Sequence, residues 1–525
     1  MVNVGAVLVI GGGIAGIQTS LDLTELGFKV YLVEKTPSIG GRMAQLDKTF
    51  PTNDCSLCIL APKMVEVFRN PNIELLTYSE VTGLSGEAGN FTATVLKKPR
   101  YVDATKCKGC GDCASKCPKI ESPNAFDMDL GKRRSIYIPF PQAVPPVYLI
   151  DPDMCLYLNK GICGVCKKTC KASAIDYEQQ PEEIEIKVGA VVVATGFDMY
   201  GDELSPRWGY KYQNVVNALE YERILCASGP FGGHVLRPSD ENEPEQIAFI
   251  QCAGSRDLKE GVPYCSSVCC TYIAKESIIT REHSEHSKCT VFRHDIRAYG
   301  KNFYEFTQRA QDEYGVEYIN SKVADIVEDP ATNDLFISYE DLKTGKIGKF
   351  RANLVVLASP LVASKGTREL AQVLGIELDE YNFFKENSYL IKSWSSKEGI
   401  YLCGFCQGPM DIPETVAEAS GVAADVATLL KDVKFSQIKP KVYEVPEKNV
   451  RNVDEPRIGV LICHCGINIG KYVDVPQVVE YVQTLPNVVH CEDNLYSCSS
   501  DSQARIKQVI LENDLNRFIV ASCTP

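Results

Sequence analysis

Twenty-three cysteines stand in this 525-residue chain, and without a secretory signal ahead of them they read as metal or redox ligands rather than disulfides. Eight fall in two runs, Cys107-x2-Cys110-x2-Cys113-x3-Cys117-Pro118 and Cys155-x7-Cys163-x2-Cys166-x3-Cys170. Three thiolates so closely spaced can cover three irons of a [4Fe-4S] cubane from one loop, while a remote cysteine closes the fourth corner. In paired runs of this kind the fourth cysteine serves the other cluster. Cys107, Cys110, Cys113 and Cys170 are therefore expected on one cluster, and Cys155, Cys163, Cys166 and Cys117 on the other. A zinc site has no need of eight cysteines in this order. Cys252, Cys265, Cys269 and Cys270 form a further set. A Cys-Cys dipeptide beside two more thiols is hard to read as inert core, so we expect a third [4Fe-4S] cluster here, with a catalytic disulfide as the alternative.

Phosphate-binding chemistry is written near the N-terminus. Gly11, Gly13 and Gly16 complete Gly-x-Gly-x-x-Gly, with Ile14 and Ala15 inside it, between an apolar strand at Val7–Ile10 and a helical pattern over Ile17–Leu26. Such glycines let the backbone approach a pyrophosphate at a helix N-terminus. A second strand, Val30–Val33, ends at Glu34, placed to accept from a ribose hydroxyl, and Lys35 and Gly40-Gly41-Arg42-Met43 follow. An acid favours unphosphorylated ribose, and Gly-Gly-Arg after it resembles FAD-binding flavoproteins more than NAD dehydrogenases. Ala190–Phe197, with Thr195 and Gly196, is the strand and Ala-Thr-Gly turn with which two-dinucleotide flavoproteins return to the FAD sheet. Gly399–Pro409 reopens it through Gly404, and the helix from Ile412 offers its positive end to the cofactor. Gly404-Phe405 stands where Gly-Asp is usual, so the ordinary ribityl contact is not expected from this turn. Lys275, on a helix predicted over Thr271–Glu282, is the catalytic candidate; it either points at the flavin edge or, the plainer reading, faces solvent.

These residues need a particular set of elements to hold them. The predicted class is α/β: a thioredoxin-reductase-like two-dinucleotide-domain flavoprotein, with an inserted two-cluster ferredoxin (α+β) module and a partial C-terminal α/β domain. The FAD domain is expected over 1–100, 181–208 and 386–431, interrupted by the ferredoxin at 101–180 and a second nucleotide-type domain at 209–385. In that second domain the strand Gln246–Ile250 runs into the cysteine set where a glycine loop is expected, so that on the cluster reading a cluster takes over a nicotinamide site. Ile73–Ser85 and Phe91–Leu96 read as strand-bearing, and 126–150 as a Pro-rich loop with a hairpin. A charged linker, 432–456, precedes a last unit, 457–525, with Cys463-His464-Cys465-Gly466, Cys491, Cys498 and Cys523. Those five cysteines again suggest iron-sulfur ligation, and the half-built sheet reads as part of something longer. Cys55 and Cys58 fit either two buried thiols or a redox or cluster-ligand pair. Cys403 and Cys406 read as packed thiols before redox-active ones, and Cys289 and His294 as structural.

Composition excludes other classes. A net charge of −13 argues against nonspecific nucleic-acid binding. No run approaches the ~20 apolar residues of a membrane helix, and a cytoplasmic protein is expected.

Together the glycine fingerprint with Gly-Gly-Arg-Met, Asp54-Cys55-Ser56-Leu57-Cys58 with Ala61-Pro62-Lys63-Met64, the inserted double ferredoxin, the Cys252/Cys265/Cys269/Cys270 set and Cys403-Gly404-Phe405-Cys406-Gln407-Gly408 resemble the A-type component of heterodisulfide reductase. The resemblance implies FAD and at least three [4Fe-4S] clusters, with the flavin splitting electron pairs between a low-potential acceptor such as ferredoxin and a disulfide or quinone-linked acceptor. It implies a cluster near the flavin on the cysteine quartet, and Lys275 as a candidate for the N5 environment. The implied partners are ferredoxin and other redox subunits, of the B and C type and a hydrogenase- or dehydrogenase-linked small subunit, in a heteromeric complex that is itself a homo-oligomer. Two departures from the family pattern bear on that partner set. The domain with Cys463-His464-Cys465 resembles the family's N-terminal domain yet follows the flavin unit here, and a further C-terminal ferredoxin is absent from these residues. A self-contained NAD(P)H-dependent flavoprotein reductase and a non-catalytic electron-conducting scaffold are the alternatives.

Overall fold

The computed structural model describes residues 3–388, 391–440, 455–465 and 469–522. Ala6–Ile10 lies in a seven-stranded sheet ordered Glu386–Ser388, Ile391–Ser395, Ile400–Leu402, Ala190–Val193, Ala6–Ile10, Lys29–Glu34 and Ile73–Thr77. The last five strands in that order run parallel, with Val7 opposite both Ala190 and Val30. Every residue of Ala6–Ile10 is buried, as expected for a parallel strand covered on both faces. Its side chains alternate between two layers. Val7 and Val9 pack with Ile17 and Leu21 beneath helices, while Leu8 and Ile10 pack with Phe91 and Val95 of an antiparallel layer. Each such side chain contributes roughly 1.5–3 kcal/mol by leaving water.

That antiparallel layer consists of Ser79–Glu87, Asn90–Lys97 and Glu182–Val188, with Lys97 opposite Glu182. Between those two residues the chain makes the excursion that carries the eight cysteines from Cys107 to Cys170. Only short elements occur in it, among them the hairpin Ile136–Tyr137 with Leu149–Ile150, inside the stretch read as a loop with a hairpin. The excursion also reaches into the first core, where Phe140 and Val144 are buried and the Ile39 N–H donates to the Val144 carbonyl at 3.0 Å.

A second seven-stranded sheet follows the order Val215–Asn217, Leu354–Leu357, Gln246–Ile250, Lys288–Arg293, Glu317–Glu328, Leu335–Asp341 and Ile347–Ala352. Gln246–Ile250 holds here the place of Ala6–Ile10. It is flanked in parallel by the next strand of its unit and by the strand that closes it. The two-dinucleotide-domain fold is thus a duplicated topology, each central strand feeding a turn and then a helix. Those helices are Ile14–Glu25, which starts directly behind Gly13, and Cys269–His283. The second begins two residues before the predicted Thr271 because Cys269 and Cys270 already take helical conformation.

A three-stranded parallel sheet, Val488–Asn494, Ile458–Cys463 and Arg517–Ala521, forms the last unit. The first residues of the expected linker are tied down, the Phe435 N–H donating to the Gly27 carbonyl at 2.8 Å and the Lys439 N–H to Asn72 Oδ1 at 2.6 Å. Residues 441–454 of that linker, Gly466 and Cys523 lie outside the described residues. Among the described residues no helix is long and apolar enough to cross a membrane.

Candidate flavin cavity and cysteine clusters

A cavity of about 460 Å³ opens against the glycine turn, within the size range of cofactor sites. Gly11, Gly13, Ile14 and Ala15 form its floor, Glu34, Lys35, Gly41, Arg42 and Met43 one wall, and Thr195, Gly196 and Ile412 another. Gly16 and Gly404 stand behind the wall. A Cβ on Gly16 would meet the Gly11 carbonyl at 1.9 Å, so its bareness serves helix-on-strand packing, and the Gly404 N–H donates to Glu418 Oε2 at 2.6 Å. By contrast a Cβ on Gly13 would meet only Gly41 Cα, at 4.0 Å, and would project into open space. Glu34 is buried and fixed, one oxygen accepting from Gly12 N–H and the other from Thr36 N–H, both at 2.7 Å. Arg42 pairs with Asp198 and donates to Gln45 Oε1 at 2.9 Å. Thr195 Oγ1 is buried without a partner beside Gly196. An unpartnered hydroxyl, an acid held as acceptor and a bare glycine at a helix start fit a dinucleotide.

Lys275 lines the same cavity but does not face solvent, which corrects the plainer sequence reading: it is 2% exposed. Its ammonium donates to Glu222 and, at 3.0 Å, to the Lys48 carbonyl. Glu222 accepts on its other oxygen from Asp47 N–H at 3.0 Å. Glu276, the next residue on the helix, is 1% exposed and turned toward Glu222. Burial, then the Glu222 charge, pushes the Asp47 carboxyl up to about 7 and that of Glu276 well above its ordinary range. Asp47, Glu222 and Glu276 were not singled out from sequence. A signal existed in Ile273-Ala274-Lys275-Glu276-Ser277-Ile278-Ile279, a charged pair inside an apolar stretch.

An acid whose carboxyl is raised in the folded state binds its proton more tightly there, so its stabilising contribution is full below the ordinary value of 3.8 and is lost as pH rises through about 7. Asp47→Asn is therefore expected to leave the melting temperature near pH 4 unchanged and to raise it above pH 7. Thermal unfolding of both proteins at the two pH values checks this, and equal shifts at both would reject it.

Among the described residues no three or more Cys, His, Asp or Glu side chains stand together in metal-holding positions, while several of the expected ligands share a cavity or a core. Cys117 lines one small cavity with Cys155, Cys163 and Cys166, and the Tyr177 hydroxyl stands 2.9 Å from Cys166 Sγ. Cys113 is within electrostatic reach of Cys107 and Cys110, and burial pushes its thiol up to about 12. Cys170 packs in the same core and accepts from Ala174 N–H at 3.3 Å. In the second unit Cys252 follows the central strand, and Cys269 and Cys270 form the first turn of the helix, each within electrostatic reach of Cys252 and Cys265. Backbone N–H groups reach the sulfurs, from Arg297 to Cys270 at 3.3 Å and from Ser267 to Cys265 at 3.4 Å. Burial holds the thiol of Cys270 up at about 11, and a cation at the sulfur would displace the proton. A metal does so outright, and a donor set of four sulfurs, those of Cys265 and Cys270 accepting from peptide N–H groups, has the chemistry an iron-sulfur cluster takes.

Cys403 and Cys406 are buried, Cys406 Sγ lying 3.2 Å from the Val193 carbonyl, as packed thiols would be. Cys55 and Cys58 bracket the start of the helix Ser56–Arg69 and are partly exposed. Cys289 is buried in the second core. In the last unit Cys463 is drawn down to about 5, chiefly by hydrogen bonding to Cys465.

A model of the NAD(P)-binding Rossmann-like domain matches residues 9–62. The A-type iron-sulfur component of the CoB–CoM heterodisulfide reductase of Methanocaldococcus jannaschii is 49% identical over 430 residues, which are 82% of this chain and 64% of that protein. The A-type component of the H2:CoB-CoM heterodisulfide,ferredoxin reductase of Methanothermobacter thermautotrophicus is 48% identical over 80% of this chain and 63% of its own length. This chain thus spans a little under two thirds of these relatives. Among solved structures, a Lactococcus lactis thioredoxin reductase aligns with a TM-score of 0.47 and 15% identity, over 82% of this chain and 100% of that one.

Proposed function

From a chain that is a homologue of the A-type component of heterodisulfide reductase, we propose an oxidoreductase subunit that distributes electrons, holding FAD and at least three [4Fe-4S] clusters in a cytoplasmic heterodisulfide-reductase-like complex. FAD, when bound, exchanges electron pairs for single electrons, which clusters carry singly. In this reading the chain's own residues bind and orient. Gly11 and Gly13 admit the pyrophosphate, Glu34 holds the ribose end, Ile412 and its helix close the far side, and Lys275 places a buried ammonium in the wall at the reactive end.

The observation that carries the reading is a single helix. Cys269–His283 starts within the cysteine quartet and presents Lys275 to the cavity two turns later. A cluster on the quartet would therefore adjoin the cofactor, in the place where a nicotinamide-binding glycine loop would otherwise stand, which favours cluster-to-flavin traffic over direct NAD(P)H oxidation. The inserted clusters give electrons a separate route. Two routes meeting at one pair-to-single converter are what bifurcation between a low-potential carrier such as ferredoxin and a disulfide-reducing subunit requires, and the partner subunits belong to the same proposal. Anaerobic reconstitution followed by flavin, iron and sulfide assay tests it. We expect about one FAD and at least about 12 irons per chain; about eight irons, with the quartet oxidised to disulfides, would replace the reading with a thiol-disulfide site.

A further inference from the structure

Four ionisable side chains in the cavity wall are almost sealed from water: Asp47 is 4% exposed, Glu222 2%, Glu276 1% and Lys275 2%. Other cations nearby are already paired, Lys48 with Glu282 at 2.9 Å and Arg223 with Asp127 at 3.0 Å. Three carboxyls therefore share one ammonium, that of Lys275, which is bonded to Glu222. Glu222 takes both the Lys275 ammonium and the Asp47 N–H, whereas Glu276 Oε2 and Asp47 Oδ2 are buried with no donor. The remaining titratable groups facing the cluster are Tyr221, Tyr272 and Cys226, all held neutral by burial. Fully ionised, the cluster would carry two uncompensated negative charges out of water, and carboxyls so close do not all ionise.

We propose that Asp47, Glu222 and Glu276 hold a shared store of protons around Lys275, and that Glu276 releases one of them toward the cofactor cavity as electrons enter it. This rests on the reading that FAD occupies that cavity. The balance is simple. Two electrons from the cluster chain, or from dithionite in the test, and one proton enter the flavin. Glu276 becomes a carboxylate, and its proton crosses through Glu222 and the Lys275 ammonium, each giving one proton and receiving one. Water at the cavity mouth later restores the proton to Glu276. Lys275 and Glu222 thus position and relay, and Glu276 stores.

The store is tested first without flavin. Infrared spectra of the full chain at pH 6, where exposed carboxyls are ionised and Asp47 still holds its proton, are expected to show the C=O stretch of protonated carboxylic acid, with intensity lost in Glu276→Gln. Asp47→Asn, which thins the store from its other end, serves as a second variant if the first fails to fold. A wild-type spectrum with no such band overturns the proposal. In the FAD-loaded protein, reduction by dithionite in weakly buffered solution with a pH indicator is expected to bleach flavin before protons leave the bulk. Glu276→Gln should abolish that lag and slow bleaching about tenfold or more; an unchanged lag overturns the relay. Failure to retain flavin at all would overturn the reading of the cavity, while the infrared result stands apart from it.

Discussion

Cys269→Ser lowers the iron recovered per reconstituted chain from about 12 atoms to about eight, while flavin stays near one per chain. Cys269 is the most enclosed thiol of its set, 5% exposed in the first turn of Cys269–His283 and in reach of Cys252, Cys265 and Cys270. Serine keeps the helix start and removes one soft ligand of four, and a three-sulfur remnant in a buried pocket does not retain a cubane on purification. Six of the eight ferredoxin-type cysteines lie in or against a separate core and Cys110 and Cys163 are exposed, so all eight are expected to keep their own irons. Cys289→Ser is the control. It is equally buried, packs in the apolar core of the second unit, and is expected to leave iron unchanged. Iron assay and electron paramagnetic resonance of the dithionite-reduced protein check both variants. Retention of about 12 irons by Cys269→Ser would remove the third cluster from the reading.

Gly13→Val removes the flavin and spares the fold. Gly13 has φ −76° and ψ −174°, an extended conformation any residue adopts, and its missing side chain faces open cavity. Valine there fills the space through which a pyrophosphate must reach the helix start. A loss of at least about 100-fold in FAD affinity, near 3 kcal/mol, is expected, with circular dichroism unchanged. Gly16→Ala should behave in the opposite way, because its Cβ would lie 1.9 Å from the Gly11 carbonyl and the helix must lift from its strand. Comparing flavin retention with melting temperature separates the two, and a flavin-replete Gly13→Val protein would place the cofactor elsewhere.

The duplicated topology was legible in the sequence because its evidence is local. Val7–Ile10 and Gln246–Ile250 are short apolar runs, each followed at once by the residues that turn the chain. The cysteine runs were legible for the same reason, since spacing along one loop decides which thiols converge. Lys275 was misread as solvent-facing because its surroundings come from far along the chain: Lys48 and Glu222 are separated from it by 227 and 53 residues. Periodicity around residue 275 reports that the helix is buried but cannot report a carboxylate arriving from another helix. Asp47 and Glu276 escaped notice on the same ground. A buried charge is defined by its partners, and partners are what a linear reading lacks.

The excursion between Lys97 and Glu182 enters and leaves through neighbouring antiparallel strands, the attachment expected of a detachable module. Yet Phe126, Arg133, Tyr137 and Phe140, from its middle, roof the flavin cavity, and Asp127 clamps Arg223 of the second unit. Excising the module would uncover the cofactor along with removing the wire. Exchanging this module for another carrier therefore requires rebuilding the roof of the cavity as well as the plug.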